Sequence, residues 1–239
     1  MIRKFKMVSL ICILCFLSIP NNGEARVLSR RYLEPTGIVT WDVSTNKKVI
    51  AITFDDGPHA IYTQQILEVL DKYNAKATFF MLGFRIQRYP QLVQAVLSRG
   101  HEIGNHTMKH VYANDATSQQ IQADILEGQK YIEKYKKNSL LFRPPGGYVN
   151  DAVFTIAKQK RYQIVLWSWH QDPHDWSKPG VNAIANHVIK NARGGDIVLL
   201  HDGGGNRQQT VEALKIILPA LQKQGYQFVK VSDLLQYKY

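Results

Sequence analysis

The chain predicts an α/β fold, a (β/α) barrel with about seven parallel strands. Three observations carry that expectation. From Lys48 onward, short β-branched or aromatic runs alternate with amphipathic stretches, the pattern of parallel strands joined by crossover helices. The units number about seven, which suits a barrel better than an open sheet. Polar residues recur at the C-terminal ends of the strands, where such folds collect their chemistry.

Residues 1–25 stand outside this pattern and read as a signal peptide. Arg3, Lys4 and Lys6 lead into an apolar block at 7–19, and Gly23-Glu24-Ala25 supplies small residues for cleavage. The block falls short of the ~20 residues that span a bilayer as a helix. The expectation is a secreted or cell-wall-associated protein, with an uncleaved membrane anchor as the alternative. Both cysteines, Cys12 and Cys15, lie in this segment, so a cleaved chain relies on its core rather than on disulfides.

Residues 26–46 are mixed and basic, read as a linker plus an opening strand near 37–41; the main domain is 47–239. Within it a strand reaches Phe54, followed by a helix over 63–73 with Ile66, Leu67, Val69 and Leu70 on one face. A strand at 77–81 precedes a helix at 90–99, with Pro90 at its first turn and Gly100 past its end. Then come strand 101–105, helix 118–135, strand 140–143, helix 151–159, strand 163–167, helix 181–191, strand 196–200 and helix 210–223. A strand near 227–229 and a short helix from Ser232 close the chain.

The formal net charge is +11, or +9 once three basic and one acidic residue leave with the leader. Such a surface draws an exported protein to anionic cell-wall polymers. Nucleic acid is not expected as a partner, because no long basic run or helix-turn-helix pattern accompanies the charge.

The chain is organised around Thr53-Phe54-Asp55-Asp56-Gly57-Pro58, which ends a buried strand on two adjacent carboxylates. Such neighbours raise each other's pKa unless a cation or a proton intervenes. Other strand ends carry Asn105-His106, Arg143-Pro144-Pro145-Gly146-Gly147, Asp172 and Asp175 beyond Trp167, and His201-Asp202. His106 and His110 are four apart, a spacing that sets two imidazoles side by side on a helical turn. Two histidines and an aspartate suit a divalent metal with positions left open. His59 is expected as a loop residue, with a place at the groove as the alternative, and His101 as structural. Trp167, Trp169 and Trp176 are candidates for stacking on sugar, with core packing the alternative for Trp167 and Trp169. Gly203-Gly204-Gly205 lacks the Lys-Ser/Thr ending of a phosphate-binding loop and is expected as a flexible rim loop.

Five ordered motifs over roughly residues 47–236 resemble the NodB-type polysaccharide deacetylases, carbohydrate esterase family four. The resemblance implies a distorted barrel and removal of N- or O-acetyl groups from sugar polymers. In Thr53-Phe54-Asp55-Asp56-Gly57 it implies Asp55 as general base and Asp56 as metal ligand. In His106-Thr107-Met108-Lys109-His110 it implies both histidines as ligands. Arg143-Pro144-Pro145 implies an arginine that holds the base, with the Gly146 amide donating to the oxyanion. Asp172-Pro173-His174-Asp175-Trp176 implies that Asp175 tunes the catalytic histidine and Trp176 lines the groove. Leu199-Leu200-His201 implies Leu199 at the acetyl pocket and His201 as general acid. The implied cofactor is a divalent ion, zinc first, with cobalt or another ion as alternatives. The pattern departs at one place: Gly146-Gly147 replaces the family's usual Tyr-Gly, removing a side chain that would stiffen the loop and contact the sugar.

The expected activity is thus metal-dependent removal of N-acetyl groups from N-acetylglucosamine in peptidoglycan, by a monomer. Chitin oligomers, N-acetylmuramic acid and acetylxylan are the alternative substrates. A wall-binding protein that has lost catalysis is the alternative class, and it would lack a motif acid or histidine; none is missing.

Overall fold

The computed structural model describes residues 27–237. The signal-peptide expectation lies outside them, and among the described residues no helix is long and apolar enough to cross a membrane. In the segment expected as a linker plus an opening strand, the strand is present and the described residues before it pack as well. Helix α1 (Arg30–Leu33) and strand β1 (Val39–Thr40) bury Leu33, Val39 and Trp41 against the sheet and its outer helices.

The other elements follow the alternation. Strand β2 (Val49–Gly57) leads to α2 (Tyr62–Lys72), β3 (Ala77–Met81), α3 (Gly83–Arg88), α4 (Pro90–Ser98), β4 (Glu102–Asn105) and α5 (Ser118–Glu133). Next come β5 (Leu141–Phe142), α6 (Asp151–Lys160), β6 (Gln163–Val165), α7 (Val181–Asn191), β7 (Ile197–His201), α8 (Gln208–Lys223), β8 (Gln227–Phe228) and α9 (Val231–Leu234). Local chemistry sets several boundaries. Thr117 and Gln120 form a capping box that starts α5, and the Asn150 side chain accepts from the Val153 amide to start α6.

Seven strands lie in the order β1-β6-β5-β4-β3-β2-β7, all parallel, and β8 adds to β2 at Val49 and Ile50. The sheet curls but does not fully close. Near its two edges an isolated bridge links Asp42 to Asp196, and the Ser168 amide donates to Ile197 O at 3.0 Å.

Strand β2 shows how the curl separates packing from chemistry. Side chains alternate across a strand. Ile50, Ile52 and Phe54 point outward into the main core, with Ile66, Leu67 and Leu70 of α2 and Leu214, Ile217 and Leu218 of α8. Full burial of each such side chain contributes about 1.5–3 kcal/mol. Ala51 points the other way, into an inner cluster with Phe80, Val165 and Ile197. Thr53 and Asp55 continue that inner face toward the end of the strand, where apolar lining gives way to polar groups.

Candidate active site

Asp55 and Asp56 diverge because the strand breaks register between them. The pairing of β2 with β3 shifts between Asp55 and Gly57, and Asp56 has φ 71°, a left-handed conformation that aims its side chain apart from its neighbour's. Gly57 is required here, since a Cβ would collide with the buried Asp202 carboxylate.

Asp55 is held from inside the curl. Its Oδ1 accepts from Arg143 Nη1 at 2.7 Å, and the same nitrogen donates to Thr53 Oγ1 at 2.8 Å. Arg143 Nε and Nη2 donate to Val165 O and Leu166 O at 2.8 and 2.9 Å. The guanidinium is fully buried over the Phe80 ring. Burial lowers its pKa, and Asp55 offsets only part of that. Every nitrogen thus has an acceptor, the condition under which burying a cation is tolerable.

His106 and His110 are neighbours, but no helix brings them together. Residues 106–110 form a loop in which Thr107 and His110 take left-handed conformations, φ 72° and 64°. The helical turn expected from their spacing is corrected on this point. Asp124 of α5 fixes the loop, accepting from the Lys109 and Val111 amides at 2.9 and 3.1 Å, while the Met108 amide donates to Asp124 O. The imidazole centroids lie 5.1 Å apart.

The two histidines converge on one oxygen. His106 Nδ1 donates to Arg143 O at 2.7 Å, leaving Nε2 to face the aspartates, 3.5 Å from Asp56 Oδ1. His110 Nε2 is 3.2 Å from the same oxygen. Asp56 Oδ1 is buried and has no hydrogen-bond partner. One ligand atom from each of Asp56, His106 and His110 lies within 4.8 Å of the others. A buried carboxylate oxygen without a hydrogen bond, facing two ring nitrogens, fits a divalent cation of borderline softness. Burial pushes Asp56 up, but His106, with His201 and His110, outweighs it and holds the carboxyl well below its usual range.

His201 stands in register beside Asp55 on the paired strand β7. Its Nδ1 lies 2.7 Å from Asp175 Oδ1, and Asp175 Oδ2 accepts from the His201 amide at 2.9 Å and Thr210 Oγ1 at 2.7 Å. Burial pushes the imidazole down, but the Asp175 charge and hydrogen bond, helped by Asp55 and Asp56, raise it to about 9. Asp202, the next residue, points away and is buried on Thr63 Oγ1. Burial, reinforced by Asp56 and Asp55 against the Thr63 bond, pushes it up to about 7.

One cavity of about 480 Å³ gathers Asp55, Asp56, His106, His110, Gly146, Trp176, Leu199 and His201 on its walls. Arg143 and Asp175 lie behind them. Each of the ten residues to which the resemblance gives a role therefore lies in the cavity wall or bonds directly to a residue that does.

The comparisons with known proteins agree with this geometry. Residues 42–165 match the polysaccharide deacetylase family. The chain belongs to the polysaccharide deacetylase family. It is 63% identical over 213 residues to the peptidoglycan-N-acetylglucosamine deacetylase of Bacillus cereus, covering 89% of this chain and 100% of that one. A crystal structure of a peptidoglycan N-acetylglucosamine deacetylase with a bound benzamide superposes with a TM-score of 0.82 at 29% identity, over 87% of this chain and 98% of that one. The acetyl xylan esterase of Clostridium thermocellum, solved with a cobalt ion, gives a TM-score of 0.71 at 34% identity, over 79% and 91%.

In this deacetylase fold several site neighbours had no sequence signal. Tyr112 and Arg207 line the cavity from loops outside the five motifs. Arg207 is buried, with Nε donating to Gly203 O at 2.6 Å and Nη1 reaching Trp176 O at 3.5 Å. It ties the glycine run at 203–205 to the Trp176 turn, so this rim loop is pinned rather than free. His59 is a loop residue and His101 is structural, as expected. His59 Nδ1 accepts from amides at the start of α2, and His101 Nδ1 accepts from the Ala77 amide. Of the tryptophans, Trp167 and Trp176 reach the cavity; Trp169 is exposed and lies near Arg30 instead.

Proposed function

We propose that the protein is a metal-dependent N-deacetylase of N-acetylglucosamine residues in peptidoglycan, releasing acetate. One observation carries the chemistry: an aspartate held by a buried arginine and a histidine held by a buried aspartate flank the Asp56–His106–His110 group in one cavity. The likeness to the Bacillus cereus enzyme favours peptidoglycan as substrate.

An amide is a weak electrophile with a poor leaving group, so both halves of the reaction need help. A divalent cation held by Asp56, His106 and His110 supplies Lewis acidity to the acetyl carbonyl and to water. Asp55 takes the proton from the attacking water; Arg143 keeps its carboxylate aimed. The Gly146 amide donates to the carbonyl oxygen as negative charge builds there, a contact worth ~3 kcal/mol in the transition state. His201, protonated through its Asp175 contact, gives its proton to the departing sugar amine. Leu199 borders the acetyl methyl, and Trp176 presents an exposed ring to the sugar.

Zinc is the metal we favour, with cobalt a working substitute. The basic surface and the leader favour action outside the cell, on a wall rich in anionic polymers, by a monomer. The test is acetate release from peptidoglycan, N-acetylglucosamine oligomers and acetylxylan with zinc or cobalt present. Release from peptidoglycan is expected; release from acetylxylan alone would replace the substrate, and release from none would leave a wall-binding protein.

A further inference from the structure

Where the family's usual Tyr-Gly is replaced, the loop after β5 supplies an aromatic ring by another route. Gly146 and Gly147 are both left-handed, with φ 64° and 72°, a pair of conformations that side-chain-bearing residues rarely adopt in succession. They fold the chain back so that Tyr148 lies over Gly146. A Cβ placed on Gly146 would meet Tyr148 Cε2 at 2.7 Å, Tyr148 Cδ2 at 2.9 Å and Tyr112 Cε1 at 3.0 Å. A Cβ on Gly147 would meet the Trp167 ring at 2.8 Å. The space a side chain at 146 needs is therefore already filled by two tyrosines.

These rings do more than fill space. Tyr148 and Tyr112 both line the cavity that holds Asp55 and Asp56. They meet edge to face, with centroids 6.2 Å apart at 67°, and Tyr112 packs at 90° against His110, 4.9 Å away. The two side chains are 36% and 41% exposed, too open for core packing to account for them. Neither phenol oxygen hydrogen-bonds to another described residue. A half-exposed ring with an open hydroxyl, fixed beside the groups that act on an acetamide, matches a pyranose: its C–H face stacks on the ring and its hydroxyls meet the phenol.

We propose that Tyr148, buttressed by Tyr112, is a specificity-determining residue that stacks on a hexosamine ring of the polymer next to the reacting acetamido group. The proposal rests on the deacetylase reading above. It gives Tyr148 the sugar-facing role that Gly146, two places earlier, has no side chain to fill. Trp176 then contributes a second aromatic surface to the same groove.

The test separates binding from support of the loop. Tyr148→Leu keeps apolar bulk against Gly146 and removes the aromatic face, whereas Tyr148→Phe keeps the face and removes the hydroxyl. With the zinc-loaded enzyme and an N-acetylglucosamine tetramer, Tyr148→Leu should raise KM about tenfold, the equivalent of ~1.4 kcal/mol, and leave kcat within about twofold. Tyr148→Phe should stay within about threefold of the unsubstituted enzyme. Calorimetric binding of the tetramer in an Asp55→Asn background should show the same rise in Kd for the leucine variant. An unchanged Kd with Tyr148→Leu, whether or not kcat falls, would overturn the proposal and leave the ring as packing. Absence of acetate release by the unsubstituted enzyme would count against the deacetylase reading, and the Kd comparison would still decide the stacking.

Discussion

His201 Nδ1 sits 2.7 Å from Asp175 Oδ1, and the second oxygen of that carboxylate accepts from the His201 amide. The aspartate thus grips both ring and backbone of one residue, fixing the imidazole's orientation while raising its affinity for a proton. With Nδ1 engaged, Nε2 is the nitrogen left to serve the leaving amine. A histidine raised to about 9 is protonated throughout the neutral range, the state a general acid needs.

This pairing predicts the alkaline side of the pH profile. The rate should fall as pH rises through the folded pKa of His201, above the ordinary histidine range. Asp175→Asn should move that limb downward and cost about 10²–10⁴ in kcat/KM, read from acetate release at several pH values. The same shift acts on stability. A histidine whose pKa is raised on folding stabilises fully below its unfolded value and loses that contribution as pH rises toward about 9.

Asp202 gives an opposite expectation for a carboxylate. Burial raises it to about 7, so the folded state binds its proton more tightly than the unfolded chain does. Stability should therefore fall as pH climbs from the ordinary carboxylate range to about 7. Asp202→Asn should flatten that loss and raise stability at pH 8 by about 1–3 kcal/mol, with little effect at pH 4, in denaturant titrations.

Removing Arg143 tests how the base is supported. Arg143→Met leaves Asp55 buried beside an apolar side chain and takes the donors away from Val165 O and Leu166 O. A loss of about 3–5 kcal/mol in unfolding free energy is expected, together with loss of acetate release. Arg143→Lys should restore part of the stability, because the charge returns without the planar fork that reaches all four acceptors.

Metal binding should be visible in stability without any turnover. Zinc at about 100 times its Kd stabilises a folded protein by ~2.7 kcal/mol. Thermal unfolding of the unsubstituted protein should shift upward with zinc, and His110→Ala should abolish the shift while leaving the metal-free midpoint close to the original. His106→Ala should also lose metal, with an added cost, because its ring is buried on Arg143 O.

Much of the fold and the site is legible in the sequence, for reasons that differ by element. β3 and α7 lie where a short, largely apolar run and helical periodicity put them, at 77–81 and 181–191. Four of the five motifs mark strand ends, the fourth lying in the loop beyond β6, and strand ends are where the curled sheet converges. Helix α3 carries no such signal, because its six residues hold too little periodicity; its first amides are satisfied by Thr107 O and Met108 O, across the fold. The His106–His110 pair is legible as neighbours but not as a loop, since the left-handed residues and Asp124 that shape it are tertiary features. Tyr112 and Arg207 reach the cavity only through the path of their loops, and Tyr148 gains its place from two glycines whose φ angles no spacing rule reveals.

Whether Asp55 is the base of a metal-dependent deacetylase is decided by acetate release from peptidoglycan with the zinc-loaded Asp55→Asn variant. A base in that position requires a fall of about 10²–10⁴ in rate, with zinc still bound one to one by Asp56, His106 and His110. Release at the unsubstituted rate would remove Asp55 from that role.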